Sequence, residues 1–383
     1  MVKRTERGVW AEWFWTVDWF FLIAFLSLLG IGFLLSFASS PSVAEKLGLD
    51  SFYFVKRHAL FLFPSIVIMI LFSFFSPKQV RNSACILLFV SLVMMVLALF
   101  LGIEIKGAKR WVYFAGTSVQ PSEFMKPAFI IVCAWLFSEQ MRQPEISGNI
   151  FSLILFGIIV ALLIAQPDFG QSILISLIWG CMFFITGVLW FWVIMFGFCG
   201  MISLILAYKM MPHVAIRIDY FLTGIGDSFQ VDNSREAIIH GGWFGQGPGG
   251  GIMKRIIPDS HTDFVFSVAA EEFGILFCIV ILCIFTFIVM RAFMYSLRET
   301  DDFARLAIYG LALQIGFQAF FNIGVNLNLL PTKGITIPAI SYGGSSMLGI
   351  CITAGYLLAL TSRHPTKRSY GQSIFCDSSD SHT

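Results

Sequence analysis

Residues 19–37, WFFLIAFLSLLGIGFLLSF, form an uncharged apolar run. About 20 such residues make a helix long enough to cross the hydrocarbon core of a bilayer. The run is longer than the apolar stretch of a cleaved signal, about 7–15 residues, so it reads as a retained first span. The pattern recurs, and ten spans are expected at about 18–37, 54–75, 83–103, 122–140, 149–166, 171–186, 188–209, 264–290, 304–328 and 336–361. Only TGVLW separates the sixth from the seventh. Apolar residues make up 57% of the 383-residue chain and charged residues 13%, against about 25% charged in soluble domains. The expected class is an all-α polytopic membrane protein, residues 18–361, with one large extracytoplasmic loop at about 210–263. Residues 1–17 and 362–383 are expected to be cytoplasmic tails, the second polar, serine-rich and disordered. A transmembrane barrel is excluded, because its strands alternate polar and apolar and these runs do not.

Charge gives the orientation. Lys3, Arg4, Arg7, Lys78, Arg81, Arg291, Arg298, Arg363, Lys367 and Arg368 flank one set of ends, read as cytoplasmic. The opposite side still carries many cations, including Lys109, Arg110, Lys126, Lys254 and Lys333. Cations gathered there suit an anionic ligand at the membrane surface, or simply lipid headgroups. No basic tract suggests nucleic acid. Eight cysteines show neither disulfide-framework nor zinc spacing and read as small apolar side chains.

Four polar turns fall on that side. PDSHTDFVFSVAAEEFG, residues 258–274, places Asp263 where the eighth span begins, and an N-cap is the plainer reading of that aspartate. Glu271 and Glu272 follow about 12–13 Å deeper on a helix rising 1.5 Å per residue, where an acid needs a cavity or a basic partner. Adjacent residues lie about 100° apart, so one of the two faces inward, and Glu271 shares the Asp263 face. KGAKRWVYFAGTSVQPSEFMK, residues 106–126, groups Lys109, Arg110, Glu123 and Lys126, with Ser122 as an expected N-cap. An interfacial aromatic belt with snorkelling cations is the plainer reading there. QPDFGQS, residues 166–172, offers Asp168 as a helix cap. LPTKGITIPAISYGGSSM, residues 330–347, breaks the helix pattern around Lys333. GGWFGQGPGGG, residues 241–251, lacks the Gly-Lys-Ser/Thr of a Walker loop and reads as flexible backbone, or else as a lid or a surface that approaches substrate closely. Composition and spacing leave a transporter and a membrane-surface enzyme both open.

In their order and spacing, GAKRW with QPSEFMK, QPDFGQS, the glycine-rich loop before PDSHTDFVF with AEEFG, and PTKG followed by SYGGSS resemble the SEDS family (shape, elongation, division and sporulation). PTKG at 331–334, Asp259-Ser260 and the GPGGG run are similar to the cell-division branch rather than the elongation branch. The resemblance implies a peptidoglycan glycosyltransferase that polymerises lipid II on the outer face of the cytoplasmic membrane, at the division septum. Its implied partners are a class B penicillin-binding transpeptidase and other division membrane proteins. It implies an essential aspartate, here Asp263, expected to act as general base. The residues expected to contact substrate are Lys109, Arg110, Gln120, Ser122, Glu123, Lys126, His261, Thr262, Glu271, Lys333, Ser341 and Ser345. Glu123 and Glu271 are expected to orient cations. The family often has a glutamate eight residues before the aspartate; Arg255 stands there, which bears on whether a Mg²⁺ or Mn²⁺ ion is held. A lipid II flippase, or a scaffold for the transpeptidase, is the alternative function.

Overall fold

The computed structural model describes residues 9–46, 48–105, 108–114, 117–187, 190–210, 229–257, 260–331 and 334–362, with a few isolated positions between 215 and 223. The chain is almost entirely helical. Its helices are α1 (Val9–Thr16), α2 (Trp19–Lys46), α3 (Tyr53–Ser73), α4 (Pro77–Leu101), α5 (Pro121–Arg142), α6 (Gly148–Ala165), α7 (Phe169–Ile185), α8 (Trp190–Met210), α9 (Phe229–Gly241), α10 (Val265–Arg298), α11 (Asp302–Asn326) and α12 (Gly344–Thr361). A helix lies on each of the ten expected spans, α2 to α8 and α10 to α12. Among the described residues, seven are long and apolar enough to cross a membrane: α2, α3, α4, α6, α10, α11 and α12. α7 is apolar but only 17 residues long, and α5 carries Glu123, Lys126, Glu139 and Arg142. The chain is a multi-pass membrane protein.

Burial sorts the helices. In α11 and α12, 72% and 83% of the most apolar stretch is buried, against 22–28% in α3, α4, α6 and α10. The inner helices pay for that depth with small residues at their crossings. A Cβ at Gly349 of α12 would meet the Glu123 carbonyl of α5 at 2.7 Å, and one at Gly355 would meet the Phe72 Cβ of α3 at 2.6 Å. Around them lies one continuous apolar core drawn from α2, α3, α4, α5, α6, α7, α10, α11 and α12.

Helix direction alternates, so the connections divide between two faces. The site face carries the 102–120 connection, the 166–168 turn, the 211–264 segment and the 327–343 connection. The first of these folds into a small antiparallel sheet, β1 (Ile103–Ile105), β2 (Ala108–Phe114) and β3 (Thr117–Val119), which sets Glu104 opposite Lys109. The opposite face carries the short turns 74–76, 143–147 and 299–301.

Several expectations change at the helix ends. Residues 9–16, expected within a tail, form α1, whose Trp13 Nε1 donates to Ser73 Oγ at 2.8 Å. The last span begins at Gly344, because 335–343 are irregular. α5 starts with Pro121 after an N-cap at Gln120, so Ser122 is not the cap. Proline suits that first position because the first N–H of a helix has no partner to lose. Phe264, with no side-chain cap bond, occupies the N-cap of α10, so Asp263 lies outside the helix. Asp168 does cap α7, accepting from the Gln171 N–H at 3.4 Å.

Candidate functional site

Three consecutive carbonyls of the His-Thr-Asp stretch are held by side chains and backbone from other segments. The Tyr342 N–H donates to the His261 carbonyl at 3.0 Å. Ser341 Oγ donates to the Thr262 carbonyl at 2.6 Å. The Asp263 carbonyl accepts from Asn322 Nδ2 at 2.9 Å and from Asn326 Nδ2 at 3.0 Å. Asp263 itself is partly exposed, and a Cβ at Gly334 would lie 3.7 Å from its Oδ2. The aspartate is therefore brought beside Gly334. Lys333, one residue from that contact, lies outside the described residues, as does Asp259.

Ser341 and Ser345, expected to touch substrate, are buried connectors. Ser341 Oγ accepts from the Ile337 N–H at 2.9 Å as well as holding Thr262. Ser345 Oγ accepts from the Gln120 N–H at 3.0 Å and so ties the start of α12 to the start of α5. Ser122 is also buried and accepts from Gln120 Nε2 at 3.1 Å. His261 packs in an aromatic cluster, 4.8 Å from the Phe54 ring and 5.4 Å from the Tyr342 ring.

The cations divide by exposure. Lys126 is fully buried and pairs with Glu123 at 2.8 Å, so Glu123 orients this cation as expected. The other Glu123 oxygen accepts from Gln171 Nε2 at 3.1 Å. Arg110 reaches the 166–168 turn: Nε donates to the Gln166 carbonyl at 3.0 Å, Nη2 to the Pro167 carbonyl, and Nη1 lies 3.6 Å from Asp168 Oδ1. One polar chain, Arg110–Asp168–Gln171–Glu123–Lys126, thus runs from the sheet into the bundle. Burial is the largest influence on Asp168 and pushes its carboxyl above the usual carboxylate value, while Arg110 and the Gln171 N–H pull it back in part. Lys109, on β2, is exposed.

Glu271 and Glu272 are both buried, which corrects the expectation that only one faces inward. Glu271 does not orient the cations of the 106–126 group. Its carboxylate accepts the N–H groups of Ile252, Met253 and Lys254 at 2.7, 2.8 and 3.1 Å. Glu272 pairs with the buried Lys254 ammonium. The helix makes room for this. At Gly274 (φ +82°) the α10 ladder breaks, and the glycine-rich run exchanges backbone bonds with the break. Gln246 and Gly247 donate to the Glu271 and Glu272 carbonyls, and Ile275 and Leu276 donate to the Gly242 and Trp243 carbonyls. A side chain at Gly241, Gly245 or Gly274 would overlap backbone at this crossing. The run is thus a close approach of loop to helix backbone, which is why those positions lack a Cβ.

Among the described residues no three His, Cys, Asp or Glu side chains gather as a metal site.

In this multi-pass membrane protein an inner helix, α11, holds the main chain of an aspartate on a face that also carries Lys109 and Arg110. Residues 19–366 match the family model described as "Cell cycle protein". The chain is 42% identical over 372 residues to a protein of Caulobacter vibrioides named a probable peptidoglycan glycosyltransferase FtsW, covering 97% of this chain and 95% of that one. It is 33% identical over 358 residues to a protein of the same name from Trichlorobacter lovleyi, covering 90% and 93%. A chain of a solved peptidoglycan synthase complex, in which polymerization and crosslinking are coordinated, superposes with a TM-score of 0.74 at 25% identity, over 90% of this chain and 97% of that one. The chain belongs to the SEDS family of cell-cycle proteins, and relatives that match it over most of its length are named FtsW.

Proposed function

We propose that this chain is a peptidoglycan glycosyltransferase that polymerises lipid II, with Asp263 as general base. The observation that carries the reading is that Asp263 lies just outside its helix, with its main-chain oxygen clamped by two amides and its Oδ2 beside Gly334. Family membership supplies the chemistry to which such a carboxylate is put. The Asp263 carboxylate takes the proton of the acceptor sugar's 4-hydroxyl. The freed oxygen forms a bond to the anomeric carbon of the donor from the opposite face, the carbon–oxygen bond to the lipid pyrophosphate breaks, and the new link is β-1,4. A placed base is worth about 10²–10⁴-fold in rate. Negative charge grows on the departing pyrophosphate. Lys109, which is exposed, and Lys333, which the motif supplies, are candidates for its stabilisation. Arg110 and Lys126 act through the polar chain that already engages them, since a phosphate reaching either would have to displace carbonyls or Glu123.

The active face lies outside the cytoplasmic membrane, where lipid-linked disaccharide is presented, and the chain works at the division septum beside a class B penicillin-binding transpeptidase. The solved complex supports such a pairing by its own polymerization and crosslinking. The test is polymer formation by the purified full-length chain with its transpeptidase, given lipid-linked disaccharide pentapeptide in detergent. Glycan strands are expected. Movement of labelled lipid across vesicles without polymer would instead favour a flippase.

A further inference from the structure

The four buried amides of α11, Gln314, Gln318, Asn322 and Asn326, stand four residues apart. That spacing puts them on one face of the helix. Buried amides in a membrane span are costly unless they are paired. The two nearest the site face pair with one atom in particular. Asn322 Nδ2 and Asn326 Nδ2 both donate to the Asp263 main-chain oxygen, at 2.9 and 3.0 Å. Neither side chain is free to rotate. Asn322 Nδ2 also donates to the Ile335 carbonyl at 2.8 Å, which joins the aspartate to the connection after Lys333. Asn326 Oδ1 accepts from the Ser267 N–H at 3.2 Å and from Ser267 Oγ at 2.6 Å, in the first turn of α10. Ser234 of α9 closes the group by donating to the Asn326 carbonyl at 3.1 Å.

We propose that Asn322 and Asn326 are positioning residues for Asp263, each acting through its hydrogen bond to the Asp263 main-chain oxygen. The inference rests on the general-base reading above. The aspartate sits in a turn, and a turn without ladder bonds has backbone freedom that a base cannot tolerate. Two buried amides on an inner span remove that freedom and refer the carboxylate to the rigid centre of the bundle. A displacement of about 1 Å at a reacting group costs about 10²-fold in rate. Losing either amide should therefore lower turnover far more than substrate binding.

The experiment uses the full-length chain with its transpeptidase and lipid-linked disaccharide pentapeptide. Asn322→Leu and Asn326→Leu are compared with Gln314→Leu, which removes a buried amide of the same stripe that bonds to Thr353 instead. Rates are taken per folded molecule, after gel filtration and thermal unfolding. The expected result is a kcat lower by about 10²-fold for either asparagine variant, with KM within about two-fold and Gln314→Leu near native kcat. Adding either change to Asp263→Asn should cause no further loss, because the amides act through that carboxylate. A native kcat in both asparagine variants, or an equal further loss on the Asp263→Asn background, overturns the proposal. If a leucine variant does not fold, the smaller Asn322→Ala and Asn326→Ala carry the same comparison. A native rate in Asp263→Asn itself would remove the general-base reading. A dead Asp263→Asn beside active asparagine variants would remove only the positioning claim.

Discussion

The two faces of the bundle use polar groups differently. On the face opposite the site, charged side chains join helix ends to one another. Asp18 takes Arg291 Nη2 at 2.7 Å and Tyr295 Oη at 2.6 Å, and Arg142 takes Asp301 at 2.5 Å. On the site face, besides the Lys126–Glu123 and Lys254–Glu272 pairs, side chains bind the backbone of connections. Asn322, Asn326 and Ser341 hold carbonyls, Glu271 holds three N–H groups, and Arg110 holds two carbonyls. Pairing at the first face closes helix ends with short turns. Pairing at the second fixes the course of long connections that the lipid cannot order. Asp263, the carboxylate proposed as the base, lies where the backbone is held.

That contrast makes the crossing at Gly274 its most fragile point. Gly274→Val would combine a positive φ with overlap against the Trp243 carbonyl, and folded protein should fall below detection by gel filtration. Lys254→Met leaves Glu272 charged, buried and alone, at a cost of about 3–5 kcal/mol in thermal or denaturant unfolding. Lys254→Met with Glu272→Leu should recover most of that loss, because the buried charge is gone from both sides. On the opposite face, Arg291→Ala should cost about 1.5–3 kcal/mol of stability while turnover per folded molecule stays native. A large fall in turnover there would erase the difference between the faces. The smallest effect is at Asp168. Its folded-state proton affinity is raised, so the stability it contributes is fully present below the ordinary carboxylate pKa and is lost as pH rises through the raised value. The unfolding temperature of the native chain, measured against Asp168→Asn, should decline as pH rises across that window. Asparagine keeps the N-cap acceptor and should flatten the profile.

Run length alone located a helix on every expected span, since a bilayer fixes how many apolar residues a helix needs. The cost of charge at depth also announced that Glu271 and Glu272 must be partnered. It did not name the partners, because Lys254 and the 252–254 backbone reach them from a distant loop. The glycine run was legible as unusual backbone. Its role was not, because one glycine in a helix costs only about 1 kcal/mol and marks no particular break. The motif singled out Asp263, while Asn322 and Asn326, which hold its main-chain oxygen, were not singled out. The signal was present: four amides spaced by four within an apolar span. The hydroxyls of Ser122, Ser341 and Ser345, which their motifs suggested as substrate contacts, bond to the scaffold, and no local pattern announced those partners.

The central claim is that the Asp263 carboxylate takes the acceptor's proton. It is tested most directly by glycan formed per folded molecule in native chain and Asp263→Asn, each with its transpeptidase and the same lipid-linked substrate. The account predicts a fall of about 10²–10⁴-fold with an unchanged unfolding temperature. Polymerisation by Asp263→Asn at the native rate would contradict it.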